Sequence, residues 1–210
     1  MTAPETLLPI AVLVSGTGTN LQTLLDTVHG REAEIVAVAA NVADAQGLAR
    51  ARERGVPTAV FARSDHDDRV ARDRALAEWL SEHGARLVVL AGYMELVGEP
   101  LLERFRDAIV NVHPSLLPAF PGLHAIEQAL AYGVKVFGVT VHFVDAGVDS
   151  GPVILQGARE LPDAREPAAV LAALRPLEHA LLPEAVRLFA RGALSRDPEN
   201  PRRVTIATPQ

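Results

Sequence analysis

The sequence predicts an α/β fold, one domain built on a mostly parallel, Rossmann-like twisted sheet flanked by helices. Short continuous apolar runs recur at residues 10–14, 35–40 and 87–91. Stretches of helical spacing lie between them, and no linker-like change of composition interrupts the alternation from Ile10 to Gln156. Buried strands alternating with helices make a parallel sheet, and 210 residues are ample for one such core. A hydrophobic fraction of 49% with 22% charged residues is that of a soluble globular protein. The net charge of -6 leaves no basic stripe to neutralise phosphates, so nucleic acid is not an expected partner. The chain has no cysteine, which removes disulfides, thiolate catalysis and cysteine-bound metal. The N-terminus carries Glu5 and no basic segment, unlike a secretory signal, and no apolar run approaches the roughly 20 residues of a membrane span. A cytoplasmic location with no membrane partner is the expectation.

In chain order, the run at 10–14 leads into Ser15-Gly16-Thr17-Gly18-Thr19-Asn20 and then the helical pattern Leu21, Leu24, Leu25, Val28. Strand, glycine turn and helix start suit a phosphate, because backbone N–H groups and the helix N-terminus both face the turn. A third glycine and an acidic end to the second strand, which a dinucleotide site would want, are missing: that strand, 35–40, ends in Asn41. A glycine turn that serves packing alone remains the competing reading. Residues 43–54 have helical spacing closed by Gly55, 57–61 form a third short strand, and 65–82 form a long charged helix. Val70, Leu76, Trp79 and Leu80 are expected to face inward there, and Arg69, Arg72 and Arg74 to form a solvated face. The strand at 87–91 runs into Gly92-Tyr93-Met94, where Met94 and Leu96 suit either the core or the floor of a pocket for a flat ring.

Residues 108–121, AIVNVHPSLLPAFP, organise the rest. Period-2 geometry puts Asn111 and His113 on one strand face, and Pro114 holds His113 extended at the strand's carboxyl end, where α/β proteins keep their chemistry. An amide donor beside an imidazole suits holding an oxyanion and moving a proton. A polar strand end followed by a surface turn accounts for these residues equally well. A helix from Ala125 closed by Gly133 follows, then a strand at 137–143 containing His142, which reads as a satisfied core histidine. Asp149 lies in a glycine-flanked loop before a strand at 152–156, where it could meet His113 across the sheet or, as most loop aspartates do, make an Asx turn. Residues 166–190 are helical, with Pro176 and Pro183 expected to break or kink the helix. No second histidine follows Glu178 at a zinc-binding interval, and no metal is expected. Residues 196–210 read as a polar tail with one edge strand at 204–206, behind a domain of residues 1–195.

Together the blocks SGTGTNLQ, LAGYMELV, NVHPSLLPAFPGLHAIEQAL, GVTVHFVDAGVDSGPVILQ and LEHALLP resemble the phosphoribosylglycinamide formyltransferases in order and spacing, over roughly residues 10–194. The resemblance implies the formyltransferase fold and transfer of a formyl group from 10-formyltetrahydrofolate to the amine of glycinamide ribonucleotide in purine biosynthesis, without a metal. It assigns Asn111 and His113 to the oxyanion and Asp149 to orienting His113 and raising its pKa. It assigns Gly16, Thr17, Gly18, Thr19 and Asn20 to the phosphate, and Glu178 to the ribonucleotide. It places the folate against Met94, Glu95, Leu96 and Val97, with Arg69 and Asn111 beside it. Glu95 stands where the family commonly carries arginine. Ala108 likewise replaces a commonly basic residue, for which Arg175 is the candidate substitute.

The resemblance leaves a monomer or a homodimer open. Its alternatives are a formyltetrahydrofolate hydrolase, expected to carry an extra N-terminal domain, and a non-catalytic folate- or nucleotide-binding protein on the same fold. A methionyl-tRNA formyltransferase would add a basic C-terminal domain, for which the short acidic chain leaves no expectation.

Overall fold

The apolar runs become parallel strands because each is buried on both faces, and a parallel ladder needs a helical crossover to return the chain. The computed structural model describes residues 7–207. In chain order the elements are β1 (Leu8–Val14), α1 (Thr19–Thr27), β2 (Ala33–Ala40), α2 (Gln46–Glu53), β3 (Thr58–Val60), α3 (Arg69–Glu82), β4 (Leu87–Leu90) and α4 (Glu99–Arg104). These are followed by β5 (Ile109–His113), α5 (Ala125–Tyr132), β6 (Val136–Phe143), β7 (Val153–Glu160), α6 (Pro167–Ala190), β8 (Leu194–Arg196) and β9 (Val204–Ile206). The central sheet has seven strands in the order β3-β2-β1-β4-β5-β6-β7. Strands β1 to β5 pair in parallel, whereas β6 and β7 are joined antiparallel. The mostly parallel sheet is therefore as expected, with a two-strand antiparallel edge.

Two apolar layers cover the sheet. On one face, Leu21 and Leu24 of α1, Leu48 of α2, Ile126 of α5 and Val170, Leu174 and Leu182 of α6 pack on Val12, Val38, Val89 and Val110. On the other, Leu76 and Leu80 of α3 and Leu101 of α4 pack on Leu13, Val88, Leu90 and Ile109. Alternate residues of one strand thus feed opposite layers, as period-2 geometry requires.

Several local expectations are revised. The helix expected from residue 65 starts at Arg69, where the Asp68 carboxylate accepts from the Ala71 N–H, a cap typically worth about 1 kcal/mol. Val70 in its first turn is exposed, and Arg72 is fully buried, the reverse of the expected pattern. Helix α4 carries only one fully buried leucine in six residues, too short a periodicity to stand out in the sequence. Pro176 and Pro183 do not break α6, which runs unbroken for 24 residues. Pro176 is exposed, so carbonyls beside it reach solvent or side chains, and Arg159 donates to the Ala173 carbonyl. Strand β9 forms where an edge strand was expected, and it pairs with β8 across the 195/196 boundary in a separate two-stranded ribbon.

Candidate active site

Strand order places the candidate site. Between β1 and β4 the chain order of the sheet reverses, and ligands of open α/β sheets bind outside the carboxyl ends of the strands at such a point. One line of register crosses the sheet there: Leu13 of β1 lies beside Leu90 of β4, Leu90 beside Asn111 of β5, and Asn111 beside His142 of β6. Residues just beyond this line, 15–20, 92–98 and 113, are therefore brought side by side although the sequence separates them widely. Ser15 ties two of these loops directly, its N–H donating to the Gly92 carbonyl at 3.0 Å and its Oγ accepting from the Met94 N–H at 2.8 Å.

The glycine turn is shaped by close packing against α2. Gly18 has φ +70°, and a Cβ on it would lie 2.6 Å from the Gly47 Cα, so the position admits only glycine. The Gly47 N–H donates to the Gly16 carbonyl, and Arg50 donates to the Thr17 carbonyl. Gly16 and Thr17 remain exposed, and the turn opens onto the start of α1, where the first helical N–H groups have no intrahelical partner. Asn20 in that first turn is buried and donates from Nδ2 to Glu178 Oε2 at 3.2 Å, which joins α1 to α6.

Burial pushes the Glu178 carboxyl above its ordinary value, against the opposing pull of Asn20 and the Arg175 charge. Arg175 also helps burial lower the pKa of His179, whose Nε2 is buried without a partner among the described residues. A carboxyl raised by folding stabilises the fold while protonated, and that contribution is lost as pH rises from the ordinary glutamate value through the raised one. Glu178→Gln is therefore expected to raise the melting temperature above the titration range and to have no such effect below it. Differential scanning calorimetry at pH values on either side of that range checks this.

Asn111, His113 and Asp149 meet at the end of β5. His113 is buried, with Nδ1 3.3 Å from Asp149 Oδ2 and Nε2 2.9 Å from the Phe120 carbonyl oxygen. Both partners are acceptors, so satisfying both at once takes a proton on each ring nitrogen. Asp149 Oδ2 also accepts from the Gly122 N–H at 2.7 Å, and its Oδ1 accepts from Asn111 Nδ2 at 3.3 Å. Burial alone would raise the Asp149 pKa, but His142, the Gly122 N–H and His113 outweigh it and hold the carboxyl below its ordinary value.

His142, expected as a bland core residue, belongs to this cluster. Its ring is buried, Nδ1 lies 2.8 Å from the Phe143 carbonyl, and Nε2 faces Asn111 Nδ2 at 3.2 Å and Asp149 Oδ1 at 3.5 Å. With Nδ1 donating to the carbonyl, a neutral ring accepts from the Asn111 amide at Nε2, and a ring protonated there donates to Asp149 Oδ1 instead. The signal was present in the antiparallel register, since residues 111 and 142 are direct cross-strand neighbours, but register is not written in the composition of either strand.

The loop of residues 114–124 is held by polar contacts the sequence did not advertise. Thr140 Oγ1 donates to the Ser115 carbonyl and accepts from the Leu117 N–H, and Gln156 donates to the Leu117 carbonyl. These anchors deliver the Phe120 carbonyl to His113. Phe120, His124 and Asp149 all have positive φ, near 54°, 60° and 47°. Non-glycine residues in this region cost about 1 kcal/mol or more each and cluster at functional sites.

Met94 and Leu96 are exposed at the carboxyl end of β4 and Val97 is half-buried against the α3 layer. Arg69 lies at the start of α3 beside Gly98 and lines a cleft of about 500 Å³ with Val97, Asp145 and Ala146. Glu95 instead turns back onto Arg72, with an N–O distance of 2.9 Å.

A sequence profile described as formyl transferase matches residues 8–186 of this chain. The trifunctional purine biosynthetic protein adenosine-3 of Drosophila pseudoobscura is 40% identical over 191 residues, covering 89% of this chain and 14% of that much longer protein. The phosphoribosylglycinamide formyltransferase of Haemophilus influenzae is 39% identical over 187 residues, 88% of each chain. Among solved structures, glycinamide ribonucleotide transformylase 1 from Symbiobacterium toebii superposes with a TM-score of 0.92 at 48% identity, covering 96% of this chain and 95% of that one. With the seven-stranded sheet in common and a profile match over most of its length, this chain belongs to the formyl transferase family.

Proposed function

We propose that this protein transfers the formyl group of 10-formyltetrahydrofolate to the amine of 5'-phosphoribosylglycinamide, giving the N-formyl ribonucleotide and tetrahydrofolate. The observation that carries the reading is the junction of His113, Asn111 and Asp149 at the end of β5, at the same end of the sheet as a glycine turn suited to phosphate. Gly16, Thr17, Gly18, Thr19 and Asn20 hold the phosphate on backbone N–H groups, and Glu178 takes the ribose side of the ribonucleotide. The folate ring lies against Met94 to Val97, with Arg69 toward its far end.

The amine attacks the formyl carbon, and the carbonyl π pair moves onto oxygen. His113 and Asn111 hold that oxygen as negative charge develops, the His113 Nε2–H donating to it in place of the Phe120 carbonyl. The Asn111 amide nitrogen faces Asp149 and, where the His142 ring is neutral, His142 as well, so its donation to the oxyanion takes the place of one existing bond. The carboxylate of Asp149 orients the imidazole and stabilises positive charge on it. Collapse of the adduct breaks the bond to the folate nitrogen, which takes up the proton the amine has lost. Such a site needs only positioned donors and one mobile proton.

Absorbance monitoring of tetrahydrofolate release, with and without the ribonucleotide, tests this. Turnover is expected only when the amine is present. Equal release without it is the behaviour of a hydrolase and overturns the transfer reading.

A further inference from the structure

The Arg72 guanidinium is 1% exposed and makes four bonds. Nε and one terminal nitrogen donate to Asp73 Oδ1 at 2.9 and 2.8 Å, the same nitrogen reaches the Leu96 carbonyl at 3.1 Å, and the other donates to Glu95 Oε2 at 2.9 Å. The second oxygen of Asp73, itself fully buried, accepts from the Gly98 N–H. A Cβ on Gly98 would lie 2.7 Å from that oxygen, so the backbone is drawn directly onto the carboxylate. The loop is thus gripped at three places, a side chain at 95, a carbonyl at 96 and an N–H at 98. Its outer residues alternate: Met94 and Leu96 are 64% and 56% exposed, and Glu95 between them points inward. Burial opposes the charge on Arg72, but its bonds to Glu95 and Asp73 outweigh burial and keep it protonated. Burial also pushes the neighbouring Tyr93 phenol up to about 12, so it stays neutral beside the two carboxylates.

We propose that Arg72 and Asp73 are positioning residues that clamp the 94–98 loop from behind, so that it offers a ligand two apolar side chains, Met94 and Leu96, while the charge of Glu95 is taken up internally. The wall is then selective for a flat, weakly polar ring and supplies no cation of its own at position 95. An isolated ion pair inside a protein is rarely retained for stability, because desolvation offsets the attraction. Here it fixes the shape of a loop that has no helix or strand ladder to hold it. Arg72 is too buried to touch any ligand, so an effect of its loss on folate binding must pass through the loop. The inference rests on the formyl-transfer reading for the identity of the ring.

The test compares wild type with Arg72→Met, Arg72→Lys and the partly exposed Glu95→Ala, by steady-state kinetics and by amide hydrogen exchange over residues 93–98. In Arg72→Met the KM for 10-formyltetrahydrofolate is expected to rise about tenfold or more, with kcat and the ribonucleotide KM within about twofold. Arg72→Lys restores part of the loss, Glu95→Ala moves in the same direction by less, and exchange at Gly98 quickens in Arg72→Met. A folate KM unchanged in both charge-removing variants overturns the proposal, as does a fall in all constants together with the melting temperature. Should Arg72→Met not fold, Glu95→Ala decides by the same criteria. A wild-type protein that turns over no formylfolate defeats the functional reading instead. The exchange data then judge the clamp, and unchanged protection at 93–98 in a folded variant overturns it.

Discussion

His113→Ala is expected to lower kcat by about 10²- to 10³-fold while the ribonucleotide KM stays within about threefold. The ring is buried at the end of β5, with one nitrogen toward Asp149 and the other toward the Phe120 carbonyl, and the glycine turn of residues 15–20 lies two strands away. On the proposed reading, alanine removes a donor to the developing oxyanion and leaves the glycine turn intact. Because the ring is small and its neighbours are polar, the cavity left behind accepts water, and the fold persists. Single-turnover measurements with saturating ribonucleotide separate the chemical step from binding. Parallel loss of affinity and rate would mean that the imidazole holds substrate rather than the reacting oxygen.

Asp149→Asn carries a loss of similar size, about 10²-fold or more in kcat, for a different reason. One carboxylate serves His113, the Gly122 N–H, Asn111 and His142 at once. An amide there cannot accept on both atoms, so one of its N–H groups faces a donor. The imidazole also loses the negative charge that stabilises its protonated form. Residues acting as a unit are not additive, so His113→Ala/Asp149→Asn is expected to lose little more than the worse single variant. The pH dependence of stability gives an independent check. A carboxyl whose folded pKa lies below its unfolded value contributes stability that is present above the ordinary aspartate range and lost as pH falls through the folded pKa. Wild type is therefore expected to lose stability on acidification over that window, and the asparagine variant to lack this component, as read by melting temperature against pH. An identical acid limb in both would remove Asp149 from the cluster's electrostatics.

The alternating apolar runs, the glycine turn and the Asn111-to-Pro114 block were legible in the chain because each depends on local rules: period 2 for strands, left-handed φ for glycine, extended backbone before proline. Their order along the chain was enough to expect the parallel sheet and the carboxyl-end location of the site. The pairing of Asp149 with His113 was also within reach, since a loop before the next strand returns to the same end of the sheet. What local rules could not supply was partnership at long range. His142 joins the site through antiparallel register, and Arg72 leaves the solvated face because Asp73 and Glu95 surround it. Helix α6 stays whole through Pro176 and Pro183 because burial along the sheet outweighs the backbone hydrogen bond lost at each proline. Sequence periodicity thus determined which segments fold and which end of the sheet gathers Asn111, His113 and Asp149. Tertiary structure alone decided which charges are buried and what each one faces, because desolvation and Coulomb attraction depend on distance through space and not along the chain.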